Sequence, residues 1–261
     1  MGILLWHSYK GVTILVEEVK STARKLFSKN FTTTDVIRAC QAITLLQCLA
    51  SQRETKQVFL TAKVTDSLCL FLVDMNREEH TLVLRNASLR AISALFEADH
   101  PVLADAIDHI LKKNMIAFFL GSMENADLHS QWTATFIVSK ILMTEEGLSY
   151  ISAEAEPCFR VIRAYAAVLE TLDFTSPIHL LNDIIQSYLR MLDEPRARDA
   201  LKHHLPLKLG TPIFAAAVAR DAGTAQKLEL LLHTMSEIQR DEFAPYNNHL
   251  QAPSSRLRMI A

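Results

Sequence analysis

Four acidic or proline-containing breaks recur along this chain at nearly constant spacing, each placed after a long apolar-periodic segment and before a shorter one. They read Leu49-Ala50-Ser51-Gln52-Arg53-Glu54 before Val58-Phe59-Leu60, and Phe96-Glu97-Ala98-Asp99-His100-Pro101 before Ala106-Ile107. Ile141-Leu142-Met143-Thr144-Glu145-Glu146 precedes Tyr150-Ile151, and Arg190-Met191-Leu192-Asp193-Glu194-Pro195 precedes Ala200-Leu201. With Glu54, Pro101, Glu146 and Pro195 as equivalent marks, the steps are 47, 45 and 49 residues. Armadillo and HEAT repeats have a period of ~40–47 residues and two or three helices per unit. One such unit cannot bury its own apolar faces, so neighbours must stack on a shared core.

The long segments have helical spacing. In 34–46, Val36, Cys40, Ile43 and the leucines recur at steps of three and four, with Thr34 as the expected N-cap. Comparable segments cover about 82–98, 129–144 and 177–192, and no sustained period-two alternation suggests a strand. Only 6 Gly and 8 Pro in 261 residues argue against a turn-dense β-fold, while 49% hydrophobic content and a net charge of −2 argue against general disorder. The expectation is an all-α, armadillo-type helical repeat solenoid over 1–240 with a mobile tail over 241–261, where Pro245, Pro253, Ser254 and Ser255 replace the apolar stripe.

The near-neutral balance supplies no global field toward nucleic acid or an anionic membrane. No uncharged run approaches the ~20 residues that span a bilayer, and His7 and Lys10 interrupt the apolar start, so a soluble chain without a signal peptide is expected. Cys40, Cys48, Cys69 and Cys158 lack CxxC spacing and are read as reduced thiols. No nucleophile elbow, phosphate loop or metalloprotease motif is present. His203 and His204 are adjacent, so a helix would aim them about 100° apart, too far for easy chelation of one ion. Neither catalysis nor any cofactor or metal is therefore expected. Arg190, Arg196, Arg198 and Lys202 form a modest basic cluster beside Tyr188, able either to contact phosphate or to pair with Asp193, Glu194 and Asp199.

An ordered set of motifs resembles the Rcd family (required for cell differentiation), which supplies subunit 9 of the CCR-NOT deadenylase complex. The motifs are Leu5-Trp6-His7-Ser8-Tyr9, Leu45 to Ser51 with Glu54-Thr55, Ala134-Thr135-Phe136-Ile137 with Lys140-Ile141-Leu142, and Gly147 to Ile151. Tyr188-Leu189-Arg190 with Pro195-Arg196-Ala197-Arg198-Asp199-Ala200-Leu201 completes the set. The resemblance implies a non-catalytic adaptor for mRNA deadenylation and translational repression, in the cytoplasm, its mRNA-processing bodies and the nucleus. It implies docking on the large Not scaffold through His7, Tyr9 and Thr13, with Cys40 on the next helix. It also implies a groove for peptides of RNA-associated regulators at Val83, Arg85, Arg90 and Thr133, and a tryptophan-peptide or nucleic-acid site at Arg190, Arg196 and Arg198.

The departures from the family pattern carry expectations of their own. Val83 stands where the family has Tyr and Arg90 where it has Gly, which fills the groove with a long cation and favours acidic peptides. Thr133 replaces an aliphatic residue, and Thr13 a small Ala. Ala155 and Pro157 replace Tyr and Arg, and His179, Asn182 and Gln186 stand at usually basic positions, so nucleic-acid binding is expected to be weak or absent. The family carries roughly one more repeat before the Trp-His motif, so a shortened paralogue with an uncovered edge is expected, and a homodimer stays open. A nucleic-acid-binding armadillo protein and a cargo adaptor outside the complex are the alternatives.

Overall fold

The computed structural model describes residues 9–73, 78–97, 102–173 and 175–250, and their side chains apart from those of Tyr9, Ile213 and 241–250. Fourteen α-helices and two short 3-10 turns account for the regular structure there, and no strand occurs among the described residues. The helices are α1 (Tyr9–Phe27), α2 (Thr33–Ser51), α3 (Lys56–Thr61), α4 (Val64–Cys69), α5 (Glu79–Ser93), α6 (Val102–Lys112) and α7 (Ile116–Asn125). They continue as α8 (Leu128–Leu142), α9 (Glu145–Ser152), α10 (Ala155–Thr171), α11 (Ile178–Met191), α12 (Pro195–His204), α13 (Pro212–Val218) and α14 (Ala222–Leu250).

The architecture is a helical repeat solenoid. Each unit runs first helix, second helix, third helix: α3–α4–α5, α6–α7–α8, α9–α10–α11 and α12–α13–α14. The third helices form an unbroken ladder in which α2 packs on α5, α5 on α8, α8 on α11 and α11 on α14. In the second position α1 meets α4 and α7 meets α10. One apolar cluster threads the units, including Ile43, Leu84, Leu89, Ile137, Ile184, Ile185 and Leu231. The spaced breaks mark the start of each first helix: Glu54 lies just before α3, Glu146 within α9, and Pro195 opens α12. Pro101 lies outside the described residues. One short helix is expected after each break, whereas the structure has two helices there, the second of which reaches 17 residues in α10.

Local chemistry sets the helix ends. The N-cap of α2 is Thr32, not the expected Thr34. A capping box needs an acidic or amide side chain three residues on; Thr32 finds Asp35, whereas Thr34 would find Ile37. Thr32 Oγ1 accepts from the Asp35 amide at 3.2 Å, and Asp35 Oδ2 accepts from the Thr32 amide at 2.8 Å. Asp127 caps α8 by accepting from the His129 and Ser130 amides, and Pro195 opens α12 where its missing N–H costs nothing. Helix α14 continues to Leu250, past the 240 boundary drawn from the sequence, and 251–261 lie outside the described residues. No described helix is long and apolar enough to cross a membrane.

Candidate functional site

Burying one stripe of each third helix leaves its opposite stripe on an open face of the ladder. Between α2 and α5 this face sinks into a groove of about 910 Å³, lined by Phe31, Val36, Ile37, Cys40, Thr44 and Val83 among others. Its apolar floor is unusually wet: Ile37 is 52% exposed and Val83 46%. Isolated exposed apolar residues are ordinary, but two facing each other across a concavity form a surface able to bury a partner. At the end where both helices begin, His80 rests on the Phe31 ring with 4.4 Å between centroids, and its Nε2 lies 2.9 Å from Glu78 Oε2. Glu79 lines the same end.

Glu79 and Val83 line this groove from α5, and Arg90, about two turns past Val83, shares their side of the helix without lining it. Arg90 is exposed, and its charge reaches Cys40 on α2. Burial raises the Cys40 thiol above its usual range, and Arg90 partly offsets that. Cys69 is pushed up to about 12 by burial and Cys158 is raised by burial too. All four cysteines are free, and these three are poor nucleophiles at neutral pH.

Cys40 and Val83 thus line one groove, with Arg90 beyond its lining on the same side of α5. Arg85 does not join them: it is fully buried, on the face of α5 turned toward the core. The i+2 step from Val83 carries it through roughly 200° of helix. Thr133 is half-exposed on α8, and its hydroxyl donates to the His129 carbonyl at 2.9 Å. Thr13 is exposed on α1 beside a separate cavity of about 500 Å³ formed with Val16, Lys20, Val58 and Lys63. Cys40 lines the α2–α5 groove, away from that cavity. His7 lies outside the described residues, and Tyr9 is placed only as the first residue of α1.

The three arginines of the fourth break are engaged within the fold. Arg190 pairs with Glu145, tying the third helix of its unit to the first, and with Asp193 at 2.7 Å, and these carboxylates hold its guanidinium even more firmly protonated than usual. Arg196 Nη1 donates to the Ala153 carbonyl, and Arg198 Nε donates to the Leu192 carbonyl at 2.9 Å. The expected pairing of Arg196 and Arg198 with nearby carboxylates is replaced by bonds to carbonyls, and it is Lys202 that meets Asp199, at 3.2 Å. Farther along, Lys227 Nζ donates to Asn182 Oδ1 at 2.7 Å and Gln186 Oε1 at 3.4 Å, tying α14 to α11. His204 packs edge-on against Phe159, and no cluster of three or more metal-ligating side chains occurs among the described residues.

Sequence reasoning missed Phe31, Ile37, Glu79 and His80. A signal existed for Ile37: with Gln41 and Thr44 it makes a second i, i+4, i+7 stripe beside the buried Val36–Ile43 stripe, and it is the apolar member of a polar face.

Comparison with known proteins places these features in a lineage. A model described as the cell differentiation family, Rcd1-like, matches residues 1–235. The cell differentiation protein rcd1 of Schizosaccharomyces pombe is 35% identical over 238 residues, covering 91% of this chain and 83% of that protein. Protein CAF40 of Saccharomyces cerevisiae shows the same identity over the same length, covering 91% of this chain and 63% of CAF40.

Proposed function

The chain belongs to the Rcd1-like cell differentiation family, and from that premise we propose that it serves as a non-catalytic adaptor subunit of the CCR-NOT deadenylase complex. In this reading the first helix docks on the large Not scaffold, and the face of the third-helix ladder receives peptides from RNA-associated regulators. The observation that carries it is the α2–α5 groove, where Ile37 and Val83 stay exposed in a molecule whose other long apolar side chains mostly feed one core. Such a surface gains by covering apolar area and needs no titrating side chain.

Two further features support the reading. Arg190, Arg196 and Arg198 already serve carboxylates and carbonyls, which favours weak or absent nucleic-acid binding. The Thr13 cavity beside α1 gives the proposed scaffold face its own recess, separate from the peptide groove.

The test is co-purification with the large Not scaffold. Wild-type chain should be recovered with it, and a His7→Ala, Tyr9→Ala double variant should lose most of that recovery. Equal recovery of the variant would remove the assigned docking face, and no recovery of either would remove the adaptor reading.

A further inference from the structure

Ser28 follows α1 directly, with Lys25 three residues before it, Arg24 four before it and Lys29 next to it. Among the described serines and threonines, no other has a lysine or arginine at both the third and the fourth place before it. Ser28 is exposed, as are Phe27, Lys29 and Asn30 around it. The chain leaves the helix at Lys29, whose φ of 54° lies in the left-handed region. The Ser28, Lys29 and Asn30 amides close this end on the Arg24, Leu26 and Lys25 carbonyls. An enzyme that needs the segment extended has to open only the last turn of one helix.

The two cations before Ser28 are engaged differently. Arg24 meets Glu17 only at 3.9 Å, with most of its side chain in solvent. Lys25 contacts Asp35 and so ties the end of α1 to the first turn of α2. Asp35 also accepts from the Thr32 amide and hydroxyl, both at 2.8 Å, so it keeps partners if Lys25 leaves. The Ser28 hydroxyl donates to the Lys25 carbonyl at 3.1 Å, and that carbonyl also takes the Asn30 amide at 2.9 Å. Losing the hydroxyl proton therefore leaves no backbone acceptor unserved.

We propose that Ser28 is a phosphorylation site for a kinase that reads cations before its acceptor, and that the phosphate loosens α1 from α2 by drawing Lys25 off Asp35. In the transfer, Ser28 Oγ forms a bond to the γ-phosphorus of ATP as the bond from that phosphorus to the β,γ-bridging oxygen breaks. ADP leaves, and the hydroxyl proton passes to the kinase's catalytic carboxylate. The inference does not rest on the adaptor reading.

A phosphoserine carries about −1.5 to −2 charges at pH 7. Residues three and four apart share one side of a helix, so Lys25 and Arg24 are the cations within its reach. Arg24 turns to it at no cost in buried contacts. Lys25, its side chain 44% exposed, chooses between one carboxylate and a phosphate of greater charge. The phosphate also sits at the C-terminal end of α1, where the helix dipole repels it, and this second effect must be separated from the first.

The test begins with the folded chain, Mg-ATP and two purified kinases that favour cations before the acceptor, protein kinase A and protein kinase C. At least one should place a phosphate on Ser28, located by tandem mass spectrometry. Ser28→Ala should lose that phosphate, and Arg24→Gln, a change at an exposed side chain, should slow its transfer about three- to tenfold. Hydrogen exchange in the phosphorylated chain should rise in the second half of α1 and the first turn of α2. Its urea midpoint should fall, and the acid limb of midpoint against pH should flatten toward that of Asp35→Asn. In the Asp35→Asn background, phosphorylation should move the midpoint far less than in wild type.

A peptide covering 20–34 serves as the accessible control. If the peptide is phosphorylated and the folded chain is not, the fold hides Ser28 and the proposal falls. If neither is phosphorylated, the cations make no kinase site and it falls equally. A midpoint that drops by the same amount with and without Asp35 would mean that the phosphate acts on the helix end, which overturns the role of Lys25. A phosphorylated chain with unchanged midpoint and exchange would overturn it too.

Discussion

Asp35 is asked to do three things at once: accept from the Thr32 amide, receive the Thr32 hydroxyl and meet the Lys25 ammonium. The Lys25 contact first, and the Thr32 bonds next, hold its carboxyl down at about 2. A carboxyl lowered in the folded state contributes stability that is complete above its unfolded value, 3.8, and is lost as pH falls toward about 2. Asp35→Asn should therefore flatten the acid limb of a urea-midpoint-against-pH curve over that window. Thr32→Ala should cost about 1 kcal/mol at neutral pH as a lost N-cap, with Thr34→Ala near neutral. Equal effects at the two threonines would contradict the cap assignment. The case also shows what sequence can resolve at this scale. The helix was legible, but three successive threonines hid which one caps it until the partner three residues on was considered. Arg85 is similar: a two-residue offset from Val83 turns a groove candidate into a buried residue.

Between elements, the recurring device is a cation from one helix serving the backbone carbonyls near the end of another. Lys56, from α3, is 2% exposed and donates to the Ala94 and Leu95 carbonyls beyond α5, at 3.2 and 3.0 Å. Lys208 does the same for the Glu170 and Leu172 carbonyls at the end of α10, and Arg196 and Arg198 serve Ala153 and Leu192. Helix C-termini leave carbonyls without intrahelical partners, and a solenoid buries some of those ends between units. Burial pulls the Lys56 ammonium below the usual lysine range, yet its two acceptors stay inside the protein whether or not it is there. Lys56→Met keeps most of the side-chain volume and leaves two buried acceptors unserved, which should lower stability by about 1–3 kcal/mol in chemical denaturation. A variant as stable as wild type would mean that water reaches those carbonyls. The ties of Lys56, Lys208 and Arg196 escaped the sequence because they join residues 36 to 43 apart, and the charges around Pro195 invited local ion pairs in place of the Arg198 bond, which spans only six.

For the whole molecule, a constant period was enough to expose the ladder, because stacking requires each unit to repeat the same apolar faces at the same interval. The short second helices, α4 with six residues and α13 with seven, were too brief for periodicity to show. The ladder also determines how damage should spread. In a repeat stack, stability is close to a sum of unit terms and nearest-neighbour terms, so the effect of a substitution depends on how many neighbours its helix has. Ile137 in α8 and Leu231 in α14 are both fully buried, but α8 lies between α5 and α11 while α14 meets only α11 among the third helices described. Either truncation to Ala should cost about 2–5 kcal/mol locally. Their reach should differ. Hydrogen exchange followed by mass spectrometry should show Ile137→Ala loosening α5, α8 and α11 together, since the stack is cut in its middle. Leu231→Ala should loosen α14, reach α11 more weakly and leave α2 and α5 as protected as before. A uniform rise in exchange along the whole chain for both variants would mean that the molecule unfolds as one block, and that the units, though stacked, do not behave as separable neighbours.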